Sequence, residues 1–175
     1  MEVQKRNKEE IKYKNMIRKI ANPYLKSGRK DYNCFGCSPN NEKGLQLKFE
    51  LENGEVVARW DPQKWAEGFR NVLHGGIQAA LLDEVCSWVV QSLCKTVGVT
   101  TSMEISYRKA VLISDGELTL RGRLTEQNSR MAFVEGKLFG NDGIVCATAN
   151  CKFFLFPLDK AIKEFDYPGG EAFFE

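Results

Sequence analysis

His74-Gly75-Gly76-Ile77-Gln78-Ala79-Ala80-Leu81-Leu82-Asp83-Glu84-Val85-Cys86-Ser87-Trp88-Val89-Val90-Gln91-Ser92-Leu93-Cys94 is the stretch around which the chain is organised, the heart of an apolar segment running from Phe69 to Val99. It carries more apolar surface than one amphipathic stripe requires, so the expected helix must be wrapped around most of its girth. Asp83, Glu84 and Gln91 make its middle too polar for a membrane span.

A helical projection at about 100° per residue separates the two adjacent carboxylates. Glu84 falls on a polar stripe with Ser87, Gln91 and Lys95, expected to face water or a partner subunit. Asp83 lies off that stripe, bordered by Ala79, Val90 and Cys94, where a carboxylate is partly desolvated and its basicity raised. Capping a loop or pairing with an interface cation remains the alternative for Asp83. Gly75 and Gly76 stand where unpaired backbone N–H groups and the positive end of the helix dipole favour developing negative charge. Without side chains they admit a carbonyl oxygen closely, as an oxyanion hole demands. His74, the only histidine, immediately precedes them.

Alternation predicts strands on either side of this helix. Leu45, Leu47, Phe49 and Leu51 mark one over Leu45–Glu52; Asn53-Gly54 is a strong hairpin turn, and Glu55–Trp60 returns as its partner. Pro62 ends that pairing, and a loop over Gln63–Arg70, with Trp65 and Phe69 expected to anchor it, delivers the chain to His74. Val99–Arg108 alternates again, with Val99, Thr101, Met103, Ile105 and Tyr107 on one face and Thr100, Ser102, Glu104 and Ser106 on the other. Gly116–Glu126, Met131–Phe139 and Ile144–Phe156 follow, joined by turns at Asn128-Ser129 and Asn141-Asp142-Gly143. Strands on both sides of one long apolar helix form an α+β layout. Curling one antiparallel sheet around the helix is the simplest way to bury it.

A chain of 175 residues is one domain's worth, and a net charge of +2 without a basic tract argues against nucleic acid as a partner. The start is rich in Lys, Arg and Glu and has no apolar leader, so the six cysteines are expected as reduced thiols in the cytoplasm. Cys34-Phe35-Gly36-Cys37 has metal-ligand spacing, but a zinc knuckle needs another ligand pair, and Cys86, Cys94, Cys146 and Cys151 fall in apolar elements. No metal and no resident cofactor is therefore expected. Glu2–Ala21 reads as a polar helix ending before Pro23. Residues 1–33 are taken as a helical N-terminal extension, 34–157 as the domain and 158–175 as a tail. In that tail Leu158–Phe165 forms a short helix, and Phe173-Phe174 is either loosely held or docked on a neighbour.

The run Glu67-Gly68-Phe69-Arg70-Asn71-Val72-Leu73-His74-Gly75-Gly76-Ile77-Gln78-Ala79-Ala80-Leu81-Leu82-Asp83-Glu84 resembles the signature of hotdog-fold acyl-CoA thioesterases of the phenylacetic-acid-degradation type. The resemblance extends from Cys34 to Phe156. It implies a hotdog fold, hydrolysis of an acyl-CoA thioester with CoA as part of the substrate, and a homodimer or a dimer of dimers with active sites at the subunit interface. It assigns His74 and Gly75 to the thioester carbonyl, Asp83 to the role of general base or nucleophile, and Thr100 to orienting a water. Thr100 and Asp83 are expected from opposite subunits. Gly76, Asn71, Arg108 and Lys109 are assigned to substrate, with Arg108, Lys109, Arg123 and Arg130 as candidates for the CoA phosphates. Some members of the family carry an asparagine six residues before the histidine, where this chain has Gly68. A hotdog protein that binds an acyl ligand without turnover, or a hydratase of the same fold, are the competing readings.

Overall fold

The computed structural model describes residues 17–26 and 31–174. Among these residues seven strands form one antiparallel sheet: β1 (Ile17–Ile20), β2 (Phe49–Glu52), β3 (Glu55–Trp60), β4 (Gly98–Tyr107), β5 (Leu118–Gln127), β6 (Met131–Phe139) and β7 (Val145–Leu155), in the order β1-β2-β3-β5-β6-β7-β4. The long helix α1 (Gly75–Leu93) packs against β3, β4, β5, β6 and β7, and a second helix, α2 (Leu158–Phe165), follows the last strand. This is an α+β hotdog arrangement, a helix held in a curved antiparallel sheet. No helix among the described residues is long and apolar enough to cross a membrane.

Leu81, Leu82, Val85, Cys86, Trp88, Val89 and Val90 are all buried, as a helix apolar on most sides requires. The sheet comes close because two glycines face it. Gly122 of β5 and Gly136 of β6 are paired in register. A Cβ on Gly122 would lie 2.8 Å from Val89 Cγ2 and 3.1 Å from the Val85 carbonyl oxygen, and one on Gly136 would lie 2.9 Å from Cys86 Sγ.

The chain's own ends cover the remaining side of α1. Trp88 stacks on Phe49 at 4.3 Å between centroids and meets Phe173 edge-on at 5.6 Å, contacts worth about 0.5–1.5 kcal/mol each beyond their burial. Tyr24 and Tyr167 donate hydrogen bonds of 2.7 Å to the Gln91 side chain and carbonyl respectively, and Lys95 pairs with Glu171 at 3.0 Å. Of the polar stripe expected to face water or a partner, Glu84 and Gln91 are therefore covered by this chain, while Lys95 stays exposed. The tail likewise docks on its own core: Phe173 is fully buried, because the exposed flank of Trp88 offers its aromatics an apolar seat.

The N-terminal helix is not found where the structure describes its end. Ile17–Ile20 is strand β1, paired antiparallel with β2, which suits two β-branched residues beside an open sheet edge. The rest of the expected helix, residues 2–16, lies outside the described residues. The strand expected from Leu45 begins only at Phe49: Gln46 has a φ of 53°. Leu45 and Leu47 donate instead to the carbonyls of Phe35 and Gly36, at 2.7 and 2.9 Å. At Asn53 and Gly54 both φ values are positive, 52° and 82°, as the anticipated two-residue turn requires.

Glu52 ties the outer strands together, accepting from Arg59 at 2.9 Å and Arg121 at 2.8 Å. Burial alone would raise its carboxyl, but these guanidinium groups hold it below the ordinary value. A depressed folded-state pKa contributes stability above the usual carboxylate range that is lost as pH falls through the lowered value. Urea denaturation at about pH 7 and about pH 3 is expected to show Glu52→Gln destabilising by roughly 1–3 kcal/mol at the higher pH, with the gap from the parent closing at the lower one. Gly122→Ala and Gly136→Ala are each expected to cost roughly 1–3 kcal/mol in the same measurement, since the helix must move off the sheet.

Candidate functional site

His74 caps α1. Its backbone is extended, with φ −60° and ψ 134°, and its ring Nδ1 accepts a hydrogen bond of 2.9 Å from the Gly76 N–H. The loop before it is pinned from several sides. His74 N–H donates to the Ala66 carbonyl and Leu73 N–H to the Val111 carbonyl, both at 2.9 Å, and Gly68 N–H to the Val72 carbonyl. A Cβ on Gly68 would lie 3.3 Å from His74 Cα and Cδ2, so the small residue here lets the loop close on the histidine. With Nδ1 accepting, the proton of the neutral ring sits on Nε2, which becomes an outward donor.

This cap distinguishes two amides expected to act alike. The Gly76 N–H is held by the His74 ring, whereas the Gly75 N–H has no hydrogen-bond partner among the described residues. Gly75 is the first residue of the helix, where such an amide is left for an external acceptor. Tyr107, at the far end of β4, donates 2.8 Å to the Gly75 carbonyl. The sequence reading gave Tyr107 no role; its only signal was its place on the face of β4 shared with Met103 and Ile105.

Asp83 is half-buried and accepts a 2.9 Å hydrogen bond from the Thr100 hydroxyl. Both groups belong to one chain, which corrects the expectation that they come from opposite subunits. A bulge makes the contact: the register of β4 against β7 shifts between Thr100 and Ser102. Simple alternation places Thr101 with Met103, Ile105 and Tyr107; the extra residue reverses the parity and turns Thr100 toward the helix. Thr101 Oγ1 instead donates to the Lys152 carbonyl at 3.0 Å. Gly75 and Asp83, eight residues apart on one helix, are separated by ~12 Å along its axis. One chain therefore presents two separate clusters, His74–Gly75 and Asp83–Thr100.

The remaining sequence-derived candidates lie apart from these. Asn71, at φ 61°, donates from Nδ2 to Ser114 Oγ at 2.9 Å and accepts from the Ser114 N–H at 3.0 Å. Both ends of its amide thus fasten the loop. Lys109 pairs with Asp142, and Arg123 with Glu135 at 2.9 Å. Arg108 opens on a shallow recess shared with Glu135, Lys137 and Thr148. Trp65 packs edge-on against Trp60 yet stays exposed, and Phe69 is 84% exposed. Phe69 is therefore no anchor within this chain.

The profile of the thioesterase superfamily matches residues 70–147, a span that includes His74, Gly75, Asp83 and Thr100. That segment is similar to the thioesterase superfamily. Solved structures share its hotdog fold. A hypothetical thioesterase from Streptococcus pneumoniae TIGR4, crystallised with coenzyme A, is 26% identical over 60% of this chain and 80% of its own, with a TM-score of 0.57. A Streptococcus mutans UA159 protein bound to acetyl CoA is 21% identical over 60% and 83%, with a TM-score of 0.56. The Escherichia coli PaaI protein of the phenylacetic acid degradation operon is 14% identical over 65% and 81%, with a TM-score of 0.59. No curated protein sequence matches the chain.

The same segment also contains a carboxylate that the sequence reading placed in the wrong setting. Glu84 is the deeply set member of the adjacent pair, pushed up to about 7 by burial, with the nearby Cys34 adding to the rise. The loop carrying Cys34 and Cys37 covers it. Its position on a polar stripe gave no hint of this, because the cover comes from a segment 50 residues upstream. As the only histidine, His74 gives the sole imidazole signals in a ¹⁵N spectrum. The neutral ring is expected to show a protonated Nε2 and an unprotonated Nδ1. A Gly76→Ala variant, whose Cβ would lie 3.0 Å from Nδ1, is expected to shift that Nδ1 signal.

Proposed function

We propose that this protein hydrolyses acyl-CoA thioesters at sites formed between two copies of the chain. The observation that carries the reading is the division of labour on α1. An open amide and an imidazole donor lie at its N-terminus, and a hydroxyl-bound carboxylate lies two turns on, too far apart to act on one carbonyl within a single chain. A second copy, related by a two-fold axis, would bring the Gly75 half-site of one protomer to the Asp83 half-site of its partner. Strand β4 suits such an interface. It forms one edge of the sheet, its residues are mostly exposed, and it carries Thr100 and Tyr107. A ten-residue open edge invites pairing.

In this scheme the thioester carbonyl oxygen lies against the Gly75 N–H, with the helix dipole and the His74 Nε2–H polarising it. Asp83 accepts a proton from water, while Thr100 occupies one carboxylate oxygen and fixes the orientation of the other. The water oxygen bonds to the carbonyl carbon and the negative charge gathers on the oxygen at Gly75. The carbon–sulfur bond then breaks, giving the free acid, and CoA leaves with the proton returned by Asp83. The backbone amide and His74 serve where some relatives add an asparagine. Lys109 is held by Asp142, so Arg108 is the better candidate for a CoA phosphate. The CoA and acetyl CoA bound by the two streptococcal proteins support this substrate class, and six free cysteines suit a cytoplasmic setting.

Assays on a panel of acyl-CoAs are expected to show turnover in the parent. Asp83→Asn is expected to lower kcat by roughly 10²–10⁴-fold. Gly75→Pro removes that N–H at a helix position proline tolerates, and adds ring carbons beside the carbonyl seat, so it should cost at least roughly 10²–10³-fold. Co-expressing His74→Ala with Asp83→Asn should restore about a quarter of parental activity, because half the dimers then hold one intact composite site. Inactivity of that mixture beside an active parent would refute the shared site, and tight acyl-CoA binding without turnover would favour a binding protein.

A further inference from the structure

We infer that Cys34, Cys37 and Glu84 form a zinc site that clips the N-terminal loop to the central helix. The Sγ atoms of both cysteines and a carboxylate oxygen of Glu84 lie within 4.8 Å of one another. The two sulfurs are 3.2 Å apart, and Cys34 Sγ lies 3.7 Å from Glu84 Oε1. These ligands come from two elements that the fold alone brings together.

Three features of the surroundings point to a cation. The Cys-x-x-Cys loop turns the Cys37 thiol and then its own backbone N–H groups, those of Cys37 and Gly36, toward the Cys34 sulfur. Trp88 Nε1 donates to Glu84 Oε1 at 3.0 Å, holding the carboxylate under the loop as an outer-shell partner orients a metal ligand. Gly36 closes the loop over it: a Cβ there would fall 2.1 Å from the Glu84 carboxyl carbon.

The charges in the cluster agree with this reading. The groups acting on Glu84 are thiols, an indole N–H and Asp83; among the described residues no basic side chain pairs with it. A divalent cation supplies the missing positive charge. Two thiolates and a carboxylate select zinc among common ions, with water in the fourth tetrahedral position. On binding, the Cys37 proton and any proton held between Cys34 and Glu84 pass to the buffer while zinc–sulfur and zinc–oxygen bonds form; no oxidant or reductant enters. The sequence reading sought a second cysteine pair as the remaining ligands; a carboxylate on α1 takes that place.

The site does not depend on the thioesterase reading, and the test reads metal directly. The full chain, stripped with chelator under reducing conditions, is titrated with zinc and separately with cobalt. One ion per chain is expected, with thiolate-to-cobalt charge-transfer absorption and tetrahedral visible bands, and zinc should raise the melting temperature. Cys34→Ser/Cys37→Ser should abolish the absorption, while Cys94→Ser should leave it intact. Glu84→Gln should weaken binding by roughly tenfold or more. Gly36→Ala keeps every ligand and should also weaken binding, which separates the site from a mere need for thiols; circular dichroism checks that each variant is folded. Absence of stoichiometric binding by the reduced, folded parent, or equal binding by the double cysteine variant, would overturn the assignment. So would recovery of the loop only as a Cys34–Cys37 disulfide that takes up no metal after reduction.

Discussion

Covering the full circumference of one helix is the constraint on which the rest of this structure depends. A segment with Leu81, Leu82, Val85, Cys86, Trp88, Val89 and Val90 buried has no side to spare for solvent. A curved sheet covers only part of a cylinder. Gly122 and Gly136 bring β5 and β6 down onto the helix. On the other side Phe49, Tyr24, Tyr167 and Phe173 close around Trp88 and Gln91. Every group with chemical potential sits where this wrapping leaves a seam: the N-terminus at His74, the β4 margin at Asp83 and Thr100, and the loop margin at Glu84.

Much of this was legible because it rests on local pattern. Apolar density announced the helix, Asn53-Gly54 announced the first hairpin, and Met131–Phe139 and Leu158–Phe165 coincide with the expected bounds. The departures have non-local causes. Ile17–Ile20 resembles the end of a polar helix until the free edge of β2 is present to receive it. Leu45 and Leu47 alternate like strand residues, yet their amides go to Phe35 and Gly36. Glu84 looked solvated since nothing nearby in sequence shows that a cysteine-bearing loop lies over it.

The candidate site was legible in its residues more than in their grouping. His74, Gly75, Asp83 and Thr100 could be named from residue type and from resemblance, but the alternation rule put Thr100 on the wrong face of β4. One inserted residue in β4 brings Thr100 under Asp83, and a ring nitrogen withdraws Gly76 from service while leaving Gly75 open. Both are single hydrogen-bond decisions, below the resolution of any periodicity.

The docking of Phe173 against Trp88 has a consequence for where the folding unit ends. The segment that matches the thioesterase profile spans residues 70–147 and omits the tail, Tyr24 and Phe49, as well as strands β1, β2 and β3. Excised on its own, that segment would leave one flank of its indole and the Gln91 amide open to water, together with the unpaired margin of β5. The smallest piece able to fold independently is therefore larger than the recognisable motif, and truncation at either margin strips an inner wall rather than an appendage.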